Sequence, residues 1–401
     1  HGKFSTVIWR GEPAYESWAY SKKISPPAAC ATEINQGCPF DCGLCSNHHA
    51  GSSGGAAGED PDLSVIEGWY RTLLASGGPV NIQLSGGEPT VRDDLPDIVA
   101  RGHKLGFNFI QINSNGLRLG QEPEYVKKLK KAGLNCVFLQ FDGTNDKIYE
   151  HIRGTALLEM KEAAISHCAE QEIGVVLAAT LVPGINTGNI GELINYAVQK
   201  VPDVRAVHFQ PIGYLGRYPK EPRDEDRFTI PEIIRALEFQ TGGKVKTADF
   251  FPPAGENGHC SFHGNFVIMP DGTLKPWISD RSHYYYAKTE PSSEGSVHAR
   301  NFVAKQWSVP KKSIKQFKEA PKAEAEINVS SLDDFLARVN TYTLSISGMA
   351  FQDAWNLDLD RLRDCHISIV SPDRRIIPFC AYNLTSRAGR ALYRGKELGH
   401  G

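Results

Sequence analysis

The sequence predicts an α/β protein built on one parallel sheet, and three observations point to it. Short apolar runs with the length of buried strands recur between residues 31 and 210, and helical patterns of about a dozen residues separate them. Polar or glycine residues follow most of these runs. Strands that alternate with helices form βαβ units with parallel strands. Because such crossovers are right-handed, the units curve into an open or closed barrel.

Six strands and the helices between them can be placed from their apolar periods. The strands are expected at residues 31–35, 80–84, 107–113, 135–141, 174–181 and 205–210. The helices are expected at residues 62–76, 93–104, 122–132, 156–171 and 189–200. Asp62 is suited to cap the first of these helices and Gly133 to end the third.

The pattern changes after residue 212. The expected elements there are a loop at 214–227, helices at 230–240 and 332–340, and hairpins pairing 266–269 with 273–276 and 365–370 with 376–380. Residues 280–326 allow no assignment. We therefore predict three regions: a cysteine-motif segment with a glycine-rich loop (1–58), a barrel (59–241) and a hairpin-rich, cysteine-containing module (242–401).

Composition limits the class of protein. Apolar residues make up 41% and charged residues 22% of the 401 residues, which is ordinary for a globular protein. The net charge of -2 argues against a nucleic-acid partner. No apolar run approaches the length of a membrane-spanning helix. Nine cysteines, three of them clustered, favour metal ligation in a reducing cytoplasm over disulfides.

The clustered cysteines are Cys38, Cys42 and Cys45, which follow the first predicted strand. Their spacing is too tight for a disulfide framework and differs from the two CxxC pairs of zinc knuckles. Three thiolates in so short a loop are the expected protein ligands of a [4Fe–4S] cluster. The fourth iron is then left to a small molecule or to another residue, and Cys30 and His48 are the nearby candidates.

Polar residues gather where the predicted strands end. Residues 85–89 (SGGEP) follow the second strand, and the other examples are Asn113, Asn115, Gln140, Asp142, His208 and Gln210. In α/β sheets and barrels the ligand lies at the carboxyl ends of the strands. Each loop alone is consistent with ordinary turn chemistry, but successive loops at one edge favour a shared site. Glu88 is expected to contact a ligand there.

Three further cysteines lie far apart in sequence but close to the predicted hairpins: Cys260, Cys365 and Cys380. We expect them to share a second iron–sulfur cluster. The alternative is that each is a small buried hydrophobe. That alternative is preferred for Cys136 and Cys168, which fall within a predicted strand and a predicted helix.

The motif at residues 38–45, followed by a strand ending in GGEP, resembles the radical S-adenosylmethionine superfamily. The resemblance implies a partial (β/α)6 barrel, a [4Fe–4S] cluster whose open iron binds the cofactor's methionine, and a reductant such as ferredoxin or flavodoxin. It implies that Gly86, Gly87 and Glu88 hold the methionine amine. The candidates for the carboxylate or the ribose are Asn113, Asn115, Gln140 and Asp142. No catalytic side chain is assigned.

A narrower resemblance covers most of residues 4–390. Residues 37–45, 82–90, 140–143 and 377–383 are similar to the tetraether lipid synthase family and its bacterial relatives. This implies several [4Fe–4S] clusters and radical C–C coupling of lipid chains, with an apolar channel and peripheral contact with the membrane. The alternative activity is methylation of a pterin-like or other small molecule. A non-catalytic iron–sulfur electron carrier on a degenerate barrel is the alternative of another class.

The sequence departs from that family in one respect. In the family the motif matching residues 38–45 holds an auxiliary cluster, and a separate radical CxxxCxxC follows it. Here residues 47–49 run directly into the glycine-rich residues 50–58. Either a segment is missing between about His49 and Ala50, which we favour, or residues 38–45 have become the radical motif, which the count of six strands favours.

Overall fold

A computed structural model describes residues 5–18, 29–35, 60–215, 221–253, 257–277, 292–309 and 338–386, together with 391 and 393. The predicted ligands Cys38, Cys42 and Cys45 and the glycine-rich loop lie outside these residues. So does the junction between His49 and Ala50.

The strands of the described residues form one mostly parallel sheet. They are β1 (Ala29–Asn35), β2 (Asn81–Gly86), β3 (Ile110–Ser114), β4 (Cys136–Gln140), β5 (Gly174–Leu181), β6 (Val204–Pro211), β7 (Ser261–Ile268), β8 (Leu274–Pro276), β9 (Thr343–Met349), β10 (Ile367–Val370) and β11 (Ile376–Pro378). Their order in the sheet is β11-β10-β1-β2-β3-β4-β5-β6-β9-β7-β8. All pairs from β10 to β9 are parallel, and the outer pairs are antiparallel.

Helices connect the strands β1 to β6 and also lie in the flanking segments of the described chain. They are α1 (Tyr15–Trp18), α2 (Leu63–Gly77), α3 (Leu95–Lys104), α4 (Leu117–Gln121), α5 (Pro123–Ala132), α6 (Asp146–Arg153), α7 (Leu158–Glu170), α8 (Ile190–Lys200), α9 (Ile230–Gln240), α10 (Ser292–Trp307), α11 (Leu359–Arg363) and α12 (Phe379–Asn383). Asp62 caps α2 by accepting hydrogen bonds from the backbone amides of Ser64 and Val65. Gly133 ends α5 with a left-handed backbone conformation.

The two faces of the sheet have different compositions. Alternate residues such as Leu84, Ile112 and Leu177 belong to the large apolar core, to which the helices α2 to α5 and α7 to α9 also contribute. The intervening residues form the opposite face, which we call the inner face. Toward the amino ends of β3 to β6 this face carries a small apolar cluster, which consists of Phe109, Cys136, Phe138, Val176, Ala178 and Ala206. Gln83 and Gln111 lie beside it on β2 and β3, and the Gln111 amide donates to the Gln83 side-chain oxygen at 2.6 Å.

Helix α10 closes this apolar cluster from below. Trp307 packs against the cluster, with its ring centroid 6.0 Å from that of Phe138. The buried Arg205 fixes the helix end by donating to the Gln306 carbonyl at 2.9 Å and to the Thr341 carbonyl at 2.8 Å. The amino end of the barrel is therefore filled, and any ligand must occupy the carboxyl end.

The α/β fold and its partial barrel are confirmed, with two corrections. The described sheet holds more parallel strands than the six predicted, because β9 and β10, from the region assigned to a separate module, pair with β6 and β1. The domain boundary at residue 241 stays a prediction, and strands from both sides of it belong to the same sheet. The second predicted hairpin ends at Pro378, and Cys380 lies on α12.

Candidate active site at the carboxyl ends of the strands

The loop after β2 is shaped by its glycines and by Glu88. Gly86 adopts φ 151°, a conformation that side-chain-bearing residues rarely reach. Glu88 is buried and caps the 3₁₀ turn Pro89–Val91 by accepting hydrogen bonds from the Thr90 amide at 3.1 Å and its hydroxyl at 2.6 Å. The same carboxylate accepts from the Ser114 hydroxyl at 2.8 Å and the Asn115 amide at 2.6 Å. Glu88 therefore joins the loops that follow β2 and β3.

Asn115 is held from several sides at the end of β3. Besides its amide bond to Glu88, its carbonyl accepts a hydrogen bond from Lys161, a fully buried lysine on α7. Its side-chain oxygen accepts from the Leu117 amide at 3.0 Å. The remaining polar atom, Nδ2, is buried and has no hydrogen-bond partner among the described residues. A buried donor costs free energy when unpaired, so Nδ2 is suited to an acceptor on a bound ligand.

Asn113 adds a second open amide at the same edge. It lies on the inner face of β3, half-buried, and its side chain makes no hydrogen bond within the described part of the chain. Together with Asn115 it offers neutral donors of the kind that carboxylate and hydroxyl groups accept. These residues fit S-adenosylmethionine, whose methionine and ribose carry both groups. The assignment of Asn113 and Asn115 to that cofactor remains a prediction.

The loop after β4 contains a buried ion pair. The Asp142 carboxylate binds the Arg153 guanidinium through two contacts, at 2.8 and 3.1 Å, with side chains 0% and 5% exposed. It also accepts from the Thr180 amide at 3.0 Å. The Gln140 side-chain amide lies against the same guanidinium, and its oxygen accepts at 2.9 and 3.2 Å when the amide is assigned in the orientation that satisfies both groups. Contact of Gln140 or Asp142 with the cofactor stays a prediction, but their side chains are committed to Arg153 here.

The far wall of the inner face is polar and neutral. Strand register places Ala178, His208, Ser347 and His263 side by side on β5, β6, β9 and β7. The His208 Nδ1 lies 2.9 Å from the Ser347 hydroxyl. Burial lowers the pKa of His208 and of His263 to about 4, so both imidazoles are neutral at pH 7. Ala178 belongs to the apolar cluster that α10 closes, and the three polar residues of the row continue from it.

The three C-terminal cysteines converge although they are distant in sequence. Arg361 donates to the Cys260 sulfur at 3.3 Å, and the Gln352 amide donates to the Cys380 sulfur at 3.3 Å. Burial raises the pKa of Cys380 to about 12, and the nearby Cys365 and Cys260 act in the same direction. Burial lowers the pKa of Arg361, but its interaction with Cys260 contributes to a net rise.

This cysteine group does not form a site for a single metal ion in the described part of the chain. Among the described residues no set of three His, Cys, Asp or Glu side chains is close enough to hold one ion. The cysteines of a [4Fe–4S] cluster each bind a different iron, so they stand farther apart than the ligands of one ion. The role of Cys260, Cys365 and Cys380 as cluster ligands remains a prediction. Cys136 and Cys168 are completely buried in apolar surroundings.

The sequence interpretation missed several residues of the site. Lys161 falls within the predicted helix 156–171, and Ser347 lies in a stretch with no predicted element, so neither was assigned a role. His263 lies three residues after Cys260, but only the cysteine was assigned to a site. Arg153 could have been found, because an arginine at the end of a helix that follows an acidic strand end can fold back onto it. Nothing local in the sequence indicates the other contacts.

Comparison with known proteins agrees with this architecture. The Radical SAM superfamily matches residues 32–197 of the chain. The chain is 31% identical to 7,8-dihydro-6-hydroxymethylpterin dimethyltransferase of Methanocaldococcus jannaschii, over 96% of this chain and 87% of that protein. It is 25% identical to a probable GTP 3',8-cyclase of Methanothermobacter thermautotrophicus, over 63% of this chain and 85% of that protein.

The length of the alignment with the pterin enzyme bears on the continuity of this chain. The alignment with the pterin enzyme spans 451 positions, more than the 401 residues present here, so at least about 50 positions of that enzyme have no counterpart. A missing internal segment is compatible with this difference.

Among solved structures, SuiB of Streptococcus suis bound to S-adenosylmethionine matches with a TM-score of 0.44 and 16% identity, over 54% of this chain and 47% of that one.

Proposed function

We propose that this chain, which belongs to the radical S-adenosylmethionine superfamily, methylates a carbon of a fused bicyclic heterocycle of the pterin type. It is an enzyme, and its cofactors are a [4Fe–4S] cluster and S-adenosylmethionine. The net reaction replaces a C–H bond of the substrate by a C–CH3 bond. The hydrogen removed from that carbon leaves in 5'-deoxyadenosine, and methionine is released. A donor at the methyl oxidation level supplies the CH3 group, and its carrier takes up a proton. A reductant such as ferredoxin or flavodoxin supplies two electrons, one that cleaves the cofactor and one that completes the methyl transfer.

The polarity of the inner face carries this proposal. Coupling of lipid chains requires an apolar channel at the carboxyl end of the barrel. The described inner face instead presents amide, hydroxyl and imidazole groups there, namely Asn113, Gln140, His208, Ser347 and His263. Apolar chains do not repay the desolvation of such groups, whereas a planar heterocycle with ring nitrogens and a carbonyl group can. We therefore set aside lipid coupling and the membrane contact that accompanied it.

The relatives favour the same substrate class. One is named for a pterin and the other for GTP, and pterin and guanine both contain a pyrimidine ring with an amino and a keto group, fused to a second ring. Among the described residues no helix is long and apolar enough to cross a membrane. The electron-carrier alternative loses its support, because the chain belongs to an enzyme superfamily.

The chain's own residues would position the reactants. When bound, the cluster and S-adenosylmethionine supply the 5'-deoxyadenosyl radical that removes hydrogen from an unactivated carbon. Gly86 and Gly87 leave backbone room for the methionine amine, and Asn113 and Asn115 donate to the carboxylate or ribose. Glu88 and Lys161 hold the backbone of Asn115 in place, so this donor is fixed before the cofactor arrives. The apolar cluster below excludes water from the radical.

The test is an anaerobic assay of the reconstituted full chain with S-adenosylmethionine, reductant, a one-carbon donor and 6-hydroxymethyl-7,8-dihydropterin. We expect mass spectrometry to detect a pterin that has gained a methyl group, dependent on S-adenosylmethionine. A parallel reaction replaces the pterin by vesicles of diether lipid. Coupled lipid chains together with an unmodified pterin would overturn the proposal.

We also propose that the chain binds more than one cluster, with Cys260, Cys365 and Cys380 holding an auxiliary one. Iron and sulfide content after reconstitution tests this with a Cys260/Cys365/Cys380→Ala variant and a Cys136/Cys168→Ala control. We expect the first variant alone to lose one cluster, and equal iron in both variants would refute the assignment.

A Cys38/Cys42/Cys45→Ala variant separates the two interpretations of the N-terminal motif. If it loses a cluster but still cleaves S-adenosylmethionine, that motif is auxiliary and a radical motif is missing from this sequence. If cleavage is lost with the cluster, residues 38–45 are the radical motif.

A further inference from the structure

His208 differs from the other described histidines in its position at the centre of the inner face. It lies on β6, in register with Ala178 on β5 and Ser347 on β9. Its ring centroid lies 5.3 Å from that of Phe138, which belongs to the apolar cluster. The imidazole therefore stands on the floor of the barrel and faces the carboxyl end, where the cofactor binds in this fold.

One nitrogen of this imidazole is held, and the other is open. Nδ1 bonds the Ser347 hydroxyl at 2.9 Å, which sets the orientation of the ring. Nε2 makes no hydrogen bond to any described residue, and the side chain is only half-buried. A histidine with a purely structural role in a core normally satisfies both nitrogens. Here the serine orients the ring and leaves one polar atom for a ligand.

Two of the neighbours of His208 on the inner face have small side chains. They are Ala178 in register on β5 and Ala206 before it on β6, while Ser347 and Gln210 are the polar neighbours. The buried Phe138 ring lies beside the imidazole and is itself packed against Trp307. A planar heterocycle lying over this floor of small and aromatic side chains would present its heteroatoms sideways, at the level of the imidazole.

We infer that His208 is a substrate-recognition residue, which hydrogen-bonds a heteroatom at the edge of the substrate ring through Nε2, with Ser347 as the positioning residue that orients it. This inference rests on the proposed function, because it takes the ligand to be a fused heterocycle. Neutral imidazole can donate or accept at Nε2, according to which nitrogen carries the proton. The Ser347 hydroxyl can serve either tautomer, so the pair can match a ring nitrogen or a carbonyl group.

The experiment measures equilibrium binding of 6-hydroxymethyl-7,8-dihydropterin to the full chain under anaerobic conditions. The fluorescence of the pterin reports the bound fraction. The variants are His208→Phe, His208→Gln and Ser347→Ala, with His151→Gln on the exposed face of α6 as the matched control. Loss of one hydrogen bond to a neutral group corresponds to about a tenfold weaker affinity. We expect that loss for His208→Phe, about threefold for Ser347→Ala, and less than threefold for His208→Gln. The control should not change.

Two further measurements separate the possible outcomes. Binding of S-adenosylmethionine, measured by equilibrium dialysis, should be unchanged in all four variants, since His208 is assigned to the substrate. If the pterin binds His208→Phe and Ser347→Ala as tightly as the wild type, the recognition role is wrong while the proposed function stands. If the wild type neither binds nor methylates the pterin, the proposed function fails and the inference fails with it. If His208→Phe melts at a lower temperature than the wild type, its pterin affinity is not used. The pterin affinities of His208→Gln and Ser347→Ala then decide whether His208 has the recognition role.

Discussion

The two walls of the candidate site use polar residues in opposite ways. On the β2–β4 side, buried charged groups bind one another or the backbone, as Glu88 binds the Asn115 amide and Asp142 binds Arg153. On the β6–β9–β7 side the polar groups are neutral, and His208 keeps one nitrogen open. Charges that are buried must be paired, so they fix loops. Neutral groups can stay available, so they suit recognition of an uncharged ring.

The largest expected loss of unfolding free energy is on the β2–β4 side, which we call the charged wall. Asp142→Ala leaves the Arg153 guanidinium buried without its carboxylate, and breaking a buried pair costs about 3–5 kcal/mol of unfolding free energy. Urea denaturation measures the difference. The matched control is Asp373→Ala, because the pair of Asp373 with Arg375 is half exposed and should contribute less than about 1 kcal/mol. Similar losses in the two variants would mean that the buried pair does not organise this wall.

Removing the charge of Glu88 should have the next largest effect. Glu88→Gln keeps the shape but weakens four hydrogen bonds to a charged acceptor, with an expected loss of about 2–3 kcal/mol. Because Asn115 is then less firmly held, affinity for S-adenosylmethionine should also fall, by about tenfold. Glu124→Gln on the exposed face of α5 is the control. Unchanged cofactor affinity in Glu88→Gln would show that Glu88 does not position Asn115.

The histidines of the β6–β9–β7 side, which we call the neutral wall, should make the stability depend on pH. The pKa of His208 and that of His263 are about 4 in the folded protein, below the ordinary value of 6.5. Below pH 6.5 the unfolded state therefore binds protons that the folded state does not, and stability falls as the pH drops toward 4. Since both side chains are only half-buried, we expect about 1–2 kcal/mol for each between pH 7 and pH 5.

Urea unfolding at the two pH values checks this, with a His208→Gln/His263→Gln variant as the comparison. The variant should lose less stability on acidification than the wild type. An identical loss would assign the pH dependence to other groups.

The smallest effect on stability is expected for Asn115→Ala, where cofactor affinity should nevertheless fall. The substitution removes the hydrogen bond from the Leu117 amide, which contributes about 1 kcal/mol. It also removes the buried unpaired Nδ2 donor, which offsets part of that loss. If Nδ2 binds S-adenosylmethionine, dialysis should show about a tenfold weaker affinity. Asn195→Ala on α8 serves as the control. Equal cofactor affinity in both variants would remove Asn115 from the site.

Much of the fold followed from local patterns. The six strands were placed within a few residues because each is a short apolar run between a helix and a turn, and α9 was placed at its observed residues, Ile230–Gln240. Helix α10 and strand β9 were not found. Helix α10 lies in residues 280–326, for which no assignment was made, and its sequence has no clear apolar stripe. Strand β9 alternates serine with apolar residues and follows the predicted helix at 332–340, in a stretch for which no element was predicted.

By itself the sequence determined the parallel sheet and the positions of its loops, since apolar period, glycine and caps act within a few residues along the chain. It also indicated the edge of the sheet where polar residues would meet. Only the tertiary structure decided which of them act together. Lys161 contacts Asn115 across 46 residues and His208 contacts Ser347 across 139. Such contacts depend on strand register and helix docking, which arise when the whole core packs.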